Sequence, residues 1–266
     1  MRNVSVNGHE YDIRLFVFDK DGLMFESHRF WIELAQSRVR AVQKKYPEIP
    51  EKVIEDWRTY VGAQWEKDQN GITVTGMDPM GILAIAPVPE ELICSAGYFS
   101  DHLKMDWLTS RKMTRDIFET GDKLFELEKA LNPRPGFPAI LKRLRKAGIP
   151  YGVATSDTKE RVKISLDLYD KYENATFTVT LDDVEKGKPN PDMLYLIQKN
   201  TGIPMEHIAM LGDSYVDVAM AKAAGAIGIG IPEQESMRQK MTGVATEIMD
   251  SLEEILIKEV GQNALN

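Results

Sequence analysis

Cysteine is all but missing: Cys94 is the single one in 266 residues, so no disulfide can close within the chain. Long hydrophobic runs are missing too. The most apolar stretches, such as 81–86, fall far short of the roughly 20 residues that a membrane-spanning helix requires. No secretory pattern opens the sequence, and the expected location is the cytoplasm. Positive charge is also in deficit, with 33 Lys and Arg against 41 Asp and Glu and a formal net charge of −8. No basic stripe marks a nucleic-acid partner. These absences argue against a disulfide-stapled secreted scaffold, a helical membrane protein and a nucleic-acid binder. They leave an anionic substrate open, because one lysine and a metal ion make a site locally positive. Low-complexity segments and internal repeats are absent as well.

What is present is ordinary for a globular chain: 43% hydrophobic and 28% charged residues. The length suits one large domain or two modest ones.

The most informative stretch is the apolar run 13–18, which ends directly in Asp19-Lys20-Asp21-Gly22. Residues i and i+2 of an extended chain point to the same side, so Asp19 and Asp21 converge while Lys20 points away. Carboxylates at the carboxyl end of a buried strand sit where open α/β sheets bind ligands. Asp-Gly is also a common turn dipeptide, so the pair gains meaning only if matching chemistry recurs at later strand ends.

Around this stretch, Val4-Ser5-Val6 and 9–18 read as a hairpin turning at Asn7-Gly8. Helical periodicity dominates from 25 to about 131, with helices at 30–46, 51–60 and one or two within 100–131. Between them, 71–89 reads as an irregular insertion with one helical turn. From Pro133 onward strands and helices alternate. Helices are expected at 137–147, 157–169, 193–201 and 216–224, with a last one at 252–258. Strands are expected at 149–154, 175–181, 207–211, 226–231 and 245–249. Strands spaced by helices of this length imply a parallel sheet covered on both faces.

Three of the later strand ends carry functional groups. The strand before Thr155-Ser156-Asp157 delivers a hydroxyl near a helix start, where backbone N–H groups can bind an oxyanion. Ser156 and Asp157 read as ordinary helix capping. Lys188 is framed by Gly187 and Pro189, a non-helical setting that favours a place beside negative charge. Asp213 follows an apolar strand, and Asp217 lies one helical turn later on the same side. Ser214 reads as the cap of that helix.

The four segments DKDG, VATSD, GKPNP and GDSYVD, in that order, resemble the motifs of the haloacid-dehalogenase-like superfamily of phosphotransferases. The resemblance covers 13–22 and 134 to about 231, and the helical block after Gly22 matches the cap position of its phosphoglycolate phosphatase and β-phosphoglucomutase subfamily. It implies an α/β fold: a Rossmann-like parallel sheet core with helices on both faces, plus an inserted, mostly α-helical cap domain. The expected division is 1–24 with 133–266 as core and 25–132 as cap.

The resemblance further implies that Asp19 is the nucleophile toward phosphorus and Asp21 the proton-transferring partner. Mg²⁺ would be held by Asp19, Asp213 and the Asp21 carbonyl, supported by Asp217, while Thr155 and Lys188 would bind phosphate. An acidic residue at 21 disfavours dehalogenation. Substrate choice falls to the cap, where His28, Trp65 and Lys67 are the specificity candidates beside their plainer roles in packing or a solvated face. The implied activity is hydrolysis of a small phosphorylated metabolite. A phosphomutase is the alternative, although Trp31 stands where β-phosphoglucomutases carry a cap histidine. A non-catalytic binding protein is the third reading.

Overall fold

The computed structural model describes residues 4–69, 71–78 and 80–258. In chain order its elements begin with β1 (Val4–Val6), β2 (His9–Tyr11), β3 (Leu15–Phe18), α1 (Ser27–Lys45), α2 (Glu51–Val61), β4 (Ala63–Asp68) and β5 (Gly71–Met77). Next come α3 (Ile82–Ile85), α4 (Val88–His102), α5 (Trp107–Leu124), α6 (Leu127–Ala130), α7 (Ala139–Ala147), β6 (Tyr151–Ala154) and α8 (Lys159–Tyr169). The last are β7 (Thr178–Val179), α9 (Asp192–Thr201), β8 (Ile208–Gly212), α10 (Tyr215–Ala224), β9 (Ile227–Gly230), α11 (Glu235–Met241), β10 (Glu247–Ile248) and β11 (Leu256–Ile257). Two compact units result. One holds the described residues through Ser27 and from Asn132 onward; the other is His28–Leu131.

The first unit is built on a six-stranded parallel sheet in the order β10-β9-β8-β3-β6-β7. The chain starts at central β3, builds outward through β6 and β7, then returns to the other side of β3 for β8, β9 and β10. This reversal of strand order is the switch point at which open α/β sheets place their ligand crevice. Because parallel crossovers are right-handed, the reversal also sends helices to both faces. Every residue of β3 is sealed from solvent, as a strand covered on both sides requires. Leu15 and Val17 pack with Met193, Leu194 and Ile197 of α9 and Met220 of α10. On α7, Ile140, Leu141 and Leu144 form the buried stripe, and Gly148 ends the helix at φ +62°.

A three-stranded antiparallel sheet, β11-β1-β2, joins this unit. Its hairpin turns at Asn7 and Gly8, both at positive φ, as a two-residue turn of this kind requires. Three side chains of the hairpin converge on Glu247 of β10: Asn7 Nδ2 at 3.0 Å, His9 Nδ1 at 2.7 Å and Tyr11 OH at 2.5 Å.

The His28–Leu131 unit is mostly helical around its own core, which includes Phe30, Leu34, Trp57, Phe99, Ile117 and Phe118. Asp106 caps α5 by accepting from the N–H groups of Leu108 and Thr109 at 3.0 and 3.1 Å. Gly62 ends α2 at φ +97°.

Four local expectations need correction. Residues 71–89 are not an irregular insertion: β5 pairs antiparallel with β4, and α3 and the start of α4 follow. The alternation of buried Ile72 and Val74 with exposed Thr73 and Thr75 has the strand period of two. The single strand expected over 9–18 breaks into β2 and β3, because Glu10 and its neighbours pair with β1 while 15–18 enter the parallel sheet. No helix covers 252–258; a 3₁₀ turn at Leu252–Glu254 leads into β11, which pairs with β1. Finally, α11 was not anticipated, since its buried surface is little more than Met241.

Candidate active site

The site grows from the end of β3. The Asp19 N–H still donates to the Leu211 carbonyl at 2.9 Å, so this residue remains in sheet register beside β8. At Lys20 the chain leaves the strand. Its carbonyl accepts from the N–H groups of Met24 and Phe25 at 3.0 and 3.3 Å, while the Gly22 N–H donates to the Phe25 carbonyl at 2.7 Å. Gly22 stands at φ +87°, and a Cβ there would lie 2.1 Å from Asp213 Oδ2. The turn therefore needs glycine twice over, for its backbone and for the room it leaves Asp213.

From neighbouring β8, Gly212 and Asp213 lead into α10, where Asp217 occupies the first turn. The Ser214 N–H donates to Asp217 Oδ2 at 3.1 Å. A Cβ on Gly212 would strike the Asp217 Cβ at 2.2 Å, so this glycine too makes space for a carboxylate. One oxygen from each of Asp19, Asp213 and Asp217 lies within 4.8 Å of the others. Lys188, from the loop before α9, reaches the same place. Its Nζ sits 2.6 Å from Asp19 Oδ1 and 2.7 Å from Asp217 Oδ1, with only 4% of its side chain exposed.

Burial dominates the electrostatics. It pushes the Asp19 carboxyl up to about 6, with the Asp217 charge adding to the rise and Lys188 opposing it. Asp213 is held well above the usual carboxylate range by burial and then by Asp19, Asp217 and Glu233. Lys188 moves upward because its two carboxylates outweigh its own desolvation. Lys188 bonds two of the three clustered carboxylates. The remaining excess of negative charge, on oxygen donors alone, fits a hard divalent cation.

Asp21 Oδ1 pairs with Lys20 Nζ, and burial pushes the Asp21 carboxyl up to about 6. This overturns the expectation that Lys20 points away. Pairing with β8 ends at Asp19, and the turn brings the Lys20 side chain back, 1% exposed, onto Asp21 and onto Asp157 Oδ2 at 2.9 Å. Asp157 is likewise not the cap of α8. That position belongs to Thr158, whose Oγ1 accepts from the Arg161 N–H at 3.3 Å. Thr155 is buried at the end of β6, and its Oγ1 accepts from the Asp157 N–H at 3.1 Å.

The specificity candidates lie in the His28–Leu131 unit. His28 is exposed in the first turn of α1. Trp65, on β4, donates from Nε1 to Thr59 Oγ1 at 3.2 Å. Lys67, two residues on, is held by Glu51 at 2.7 Å and Glu55 at 3.5 Å.

Arg134 was not singled out from the sequence. Its Nη1 donates to the Gly22 carbonyl and, at 2.9 Å, to the Ile231 carbonyl, tying the turn after Asp21 to the end of β9. Glu233, whose Oε2 accepts from Ser27 Oγ at 3.0 Å, was missed as well. An arginine before a Pro-Gly step and a glutamate after an Ile-Pro step carry no local signal of such roles.

The model of the haloacid dehalogenase-like hydrolases matches residues 13–225. The chain belongs to that family. It is 30% identical over 116 residues to the pyrophosphatase PpaX of Halalkalibacterium halodurans, covering 42% of this chain and 54% of that one. It is 33% identical over 98 residues to the phosphoglycolate phosphatase of Escherichia coli K12, covering 36% of this chain and 39% of the relative. The matches thus span less than two thirds of either relative. In structure it resembles a HAD-superfamily hydrolase of subfamily IA from Geobacter sulfurreducens, with a TM-score of 0.59 at 19% identity, covering 92% of this chain and 95% of the other.

Proposed function

We propose that this protein is an Mg²⁺-dependent phosphatase that hydrolyses a small phosphorylated metabolite through an aspartyl-phosphate. The observation that carries this reading is the convergence of Asp19, Asp213, Asp217 and Lys188 at the switch point of the sheet. Relatives named for phosphatase and pyrophosphatase activities support it.

Asp19, Asp213 and the Asp21 carbonyl would hold the metal, with Asp217 supporting. When bound, Mg²⁺ neutralises charge on both the carboxylates and the phosphoryl oxygens. Lys188 bonds Asp19 Oδ1, which leaves Oδ2 of the nucleophile for attack on phosphorus. As the bond from Asp19 to phosphorus forms, the bond to the leaving oxygen breaks and that oxygen takes the proton of Asp21. Asp21 then accepts a proton from water, whose oxygen bonds phosphorus and releases Asp19 with inorganic phosphate. Dividing one displacement into two lowers each barrier, and positioned proton transfer contributes about 10²–10⁴-fold. Lys188 and Thr155 steady the phosphoryl oxygens. The helical unit acts as the cap, and His28, Trp65 and Lys67 are its candidates for contacting the leaving group. A cytoplasmic setting accords with the single cysteine, and among the described residues no helix is long and apolar enough to cross a membrane.

The test is phosphate release, with and without Mg²⁺, across sugar phosphates, phosphoglycolate, pyrophosphate, nucleotides and phosphonates, with Asp19→Asn as control. Metal-dependent release that vanishes in the variant is the expected result. Unchanged activity in Asp19→Asn removes the nucleophile assignment, and sugar-phosphate isomerisation without phosphate release replaces hydrolase by mutase.

A further inference from the structure

Lys20 occupies a position at which the strand pattern predicts a side chain turned away from Asp19 and Asp21, yet it is 1% exposed and bridges Asp21 and Asp157. Burying an ammonium is unfavourable unless it is paired, and an apolar residue of the same length fills such a place without needing a counter-charge. The fold supplies that counter-charge deliberately. Asp157 has no capping duty, since Thr158 caps α8. Its Oδ1 accepts from the Thr158 N–H at 2.8 Å and lies 3.5 Å from Arg161 Nη1, while its backbone N–H is fixed on Thr155 Oγ1. Oδ2 is left facing Lys20 Nζ at 2.9 Å. A rigid relay therefore runs from the end of β6 through Asp157 and Lys20 to Asp21.

We infer that Lys20 and Asp157 form a positioning pair that holds Asp21 by Oδ1 and leaves Oδ2 as the oxygen that hands over and recovers the proton. The inference rests on the phosphatase reading, in which Asp21 is the proton-transferring group. Two features suit the pair to that task. Lys20 keeps one ion-pair partner, Asp157, while Asp21 carries the proton, so neither half of the cycle leaves a buried ammonium alone. The anchored Oδ1 also restricts rotation of the carboxyl group, and misplacement of a reacting group by about 1 Å costs on the order of 100-fold in rate. Neither residue touches the reacting atoms, so both act through Asp21.

The decisive comparison uses two substrates that need the proton to different degrees. p-Nitrophenyl phosphate releases a stable anion, whereas phenyl phosphate needs its leaving oxygen protonated. Single-turnover and steady-state rates with Mg²⁺ are measured for the wild type, Lys20→Met, Lys20→Arg, Asp157→Asn and Asp19→Asn. Lys20→Met is expected to lower kcat by about 10–100-fold with KM within about threefold. Its single-turnover loss should be at least about fivefold greater for phenyl phosphate. Lys20→Arg should recover much of the rate, and Asp157→Asn should lose about 3–10-fold with the same bias toward phenyl phosphate. Equal losses on both substrates, or an unchanged kcat in a folded Lys20→Met, overturn the positioning role even while Asp19→Asn is inert. If Lys20→Met does not fold, the substrate bias of Asp157→Asn decides in the same way. Full turnover by Asp19→Asn overturns the phosphatase reading itself, and this inference with it.

Discussion

Lys188 in the α/β unit and Arg58 in the helical unit are both basic side chains sealed from water, and the two regions answer them in opposite ways. Lys188 bonds Asp19 and Asp217 at 2.6 and 2.7 Å. Arg58, near the end of α2, is 1% exposed, and none of its three guanidinium nitrogens has a hydrogen-bond partner among the described residues. The Trp65 ring lies 5.9 Å away, and burial lowers the guanidinium to about 10, with Glu55 and Glu51 opposing from a distance. The α/β unit has the reverse problem, an excess of buried carboxylate. Charge is concentrated and coupled where strand ends converge. In the helical unit Arg58 is enclosed by packing, although another buried arginine of that unit, Arg38, is paired with Glu91.

The largest expected effect breaks the coupled side of this contrast. Asp19→Asn takes one charged partner from Lys188 and should reduce phosphate release at least about 1,000-fold, measured by single-turnover assay. A loss below tenfold would show that the cluster is structural.

Lys188→Met leaves Asp19 and Asp217 facing each other without their cation. Breaking a buried pair typically costs about 3–5 kcal/mol, so the thermal midpoint without divalent ions should fall by about 5–10 °C. Added Mg²⁺ should recover part of it, and calorimetry in both conditions reads the difference.

The pH dependence follows from the raised carboxyl groups. Asp19 titrates near 6 in the fold against an ordinary 3.8. Its neutral form is the favoured one, so its stabilising contribution is complete at low pH and is lost as pH rises through about 6. Mg²⁺ acts on the ionised form and offsets that loss. Its thermal stabilisation should therefore be larger at pH 7.5 than at pH 5 by about 3 °C or more, by differential scanning fluorimetry. Equal shifts at both pH values would place the metal elsewhere.

The smallest effect has the opposite sign. Arg58→Met removes an unpaired buried charge, and the midpoint should stay level or rise by up to about 4 °C. A clear fall would show that the guanidinium has a partner in solution, and the contrast between the two units would close.

Much of this was legible from local pattern. The continuous apolar run of β3 announced a strand covered on both faces, and Ile140, Leu141 and Leu144 announced the inner side of α7. The spacing of Asp213 and Asp217 anticipated two carboxylates on one side of a helix start. Other features were hidden by competing local rules. Alternation turned Lys20 away from Asp21, but alternation stops where hydrogen bonding to the next strand stops, one residue earlier. Asp157 looked like a cap because it precedes a helix; the cap is Thr158, and the counter-ion role depends on a lysine far away in sequence. The β4–β5 hairpin was obscured by the Gly, Pro and Met around it, although Ile72 to Thr75 carries the strand period.

The sequence by itself determined the kind of chemistry and the order of its parts, because strand ends, glycine turns and charged residues are local features with local physics. Only the tertiary structure decided which charges meet. Lys188 with Asp19, Lys20 with Asp157 and Gly22 with Asp213 are paired by the order of strands in the sheet. Coulombic and steric demands between residues so distant along the chain arise only once that order brings their strand ends side by side.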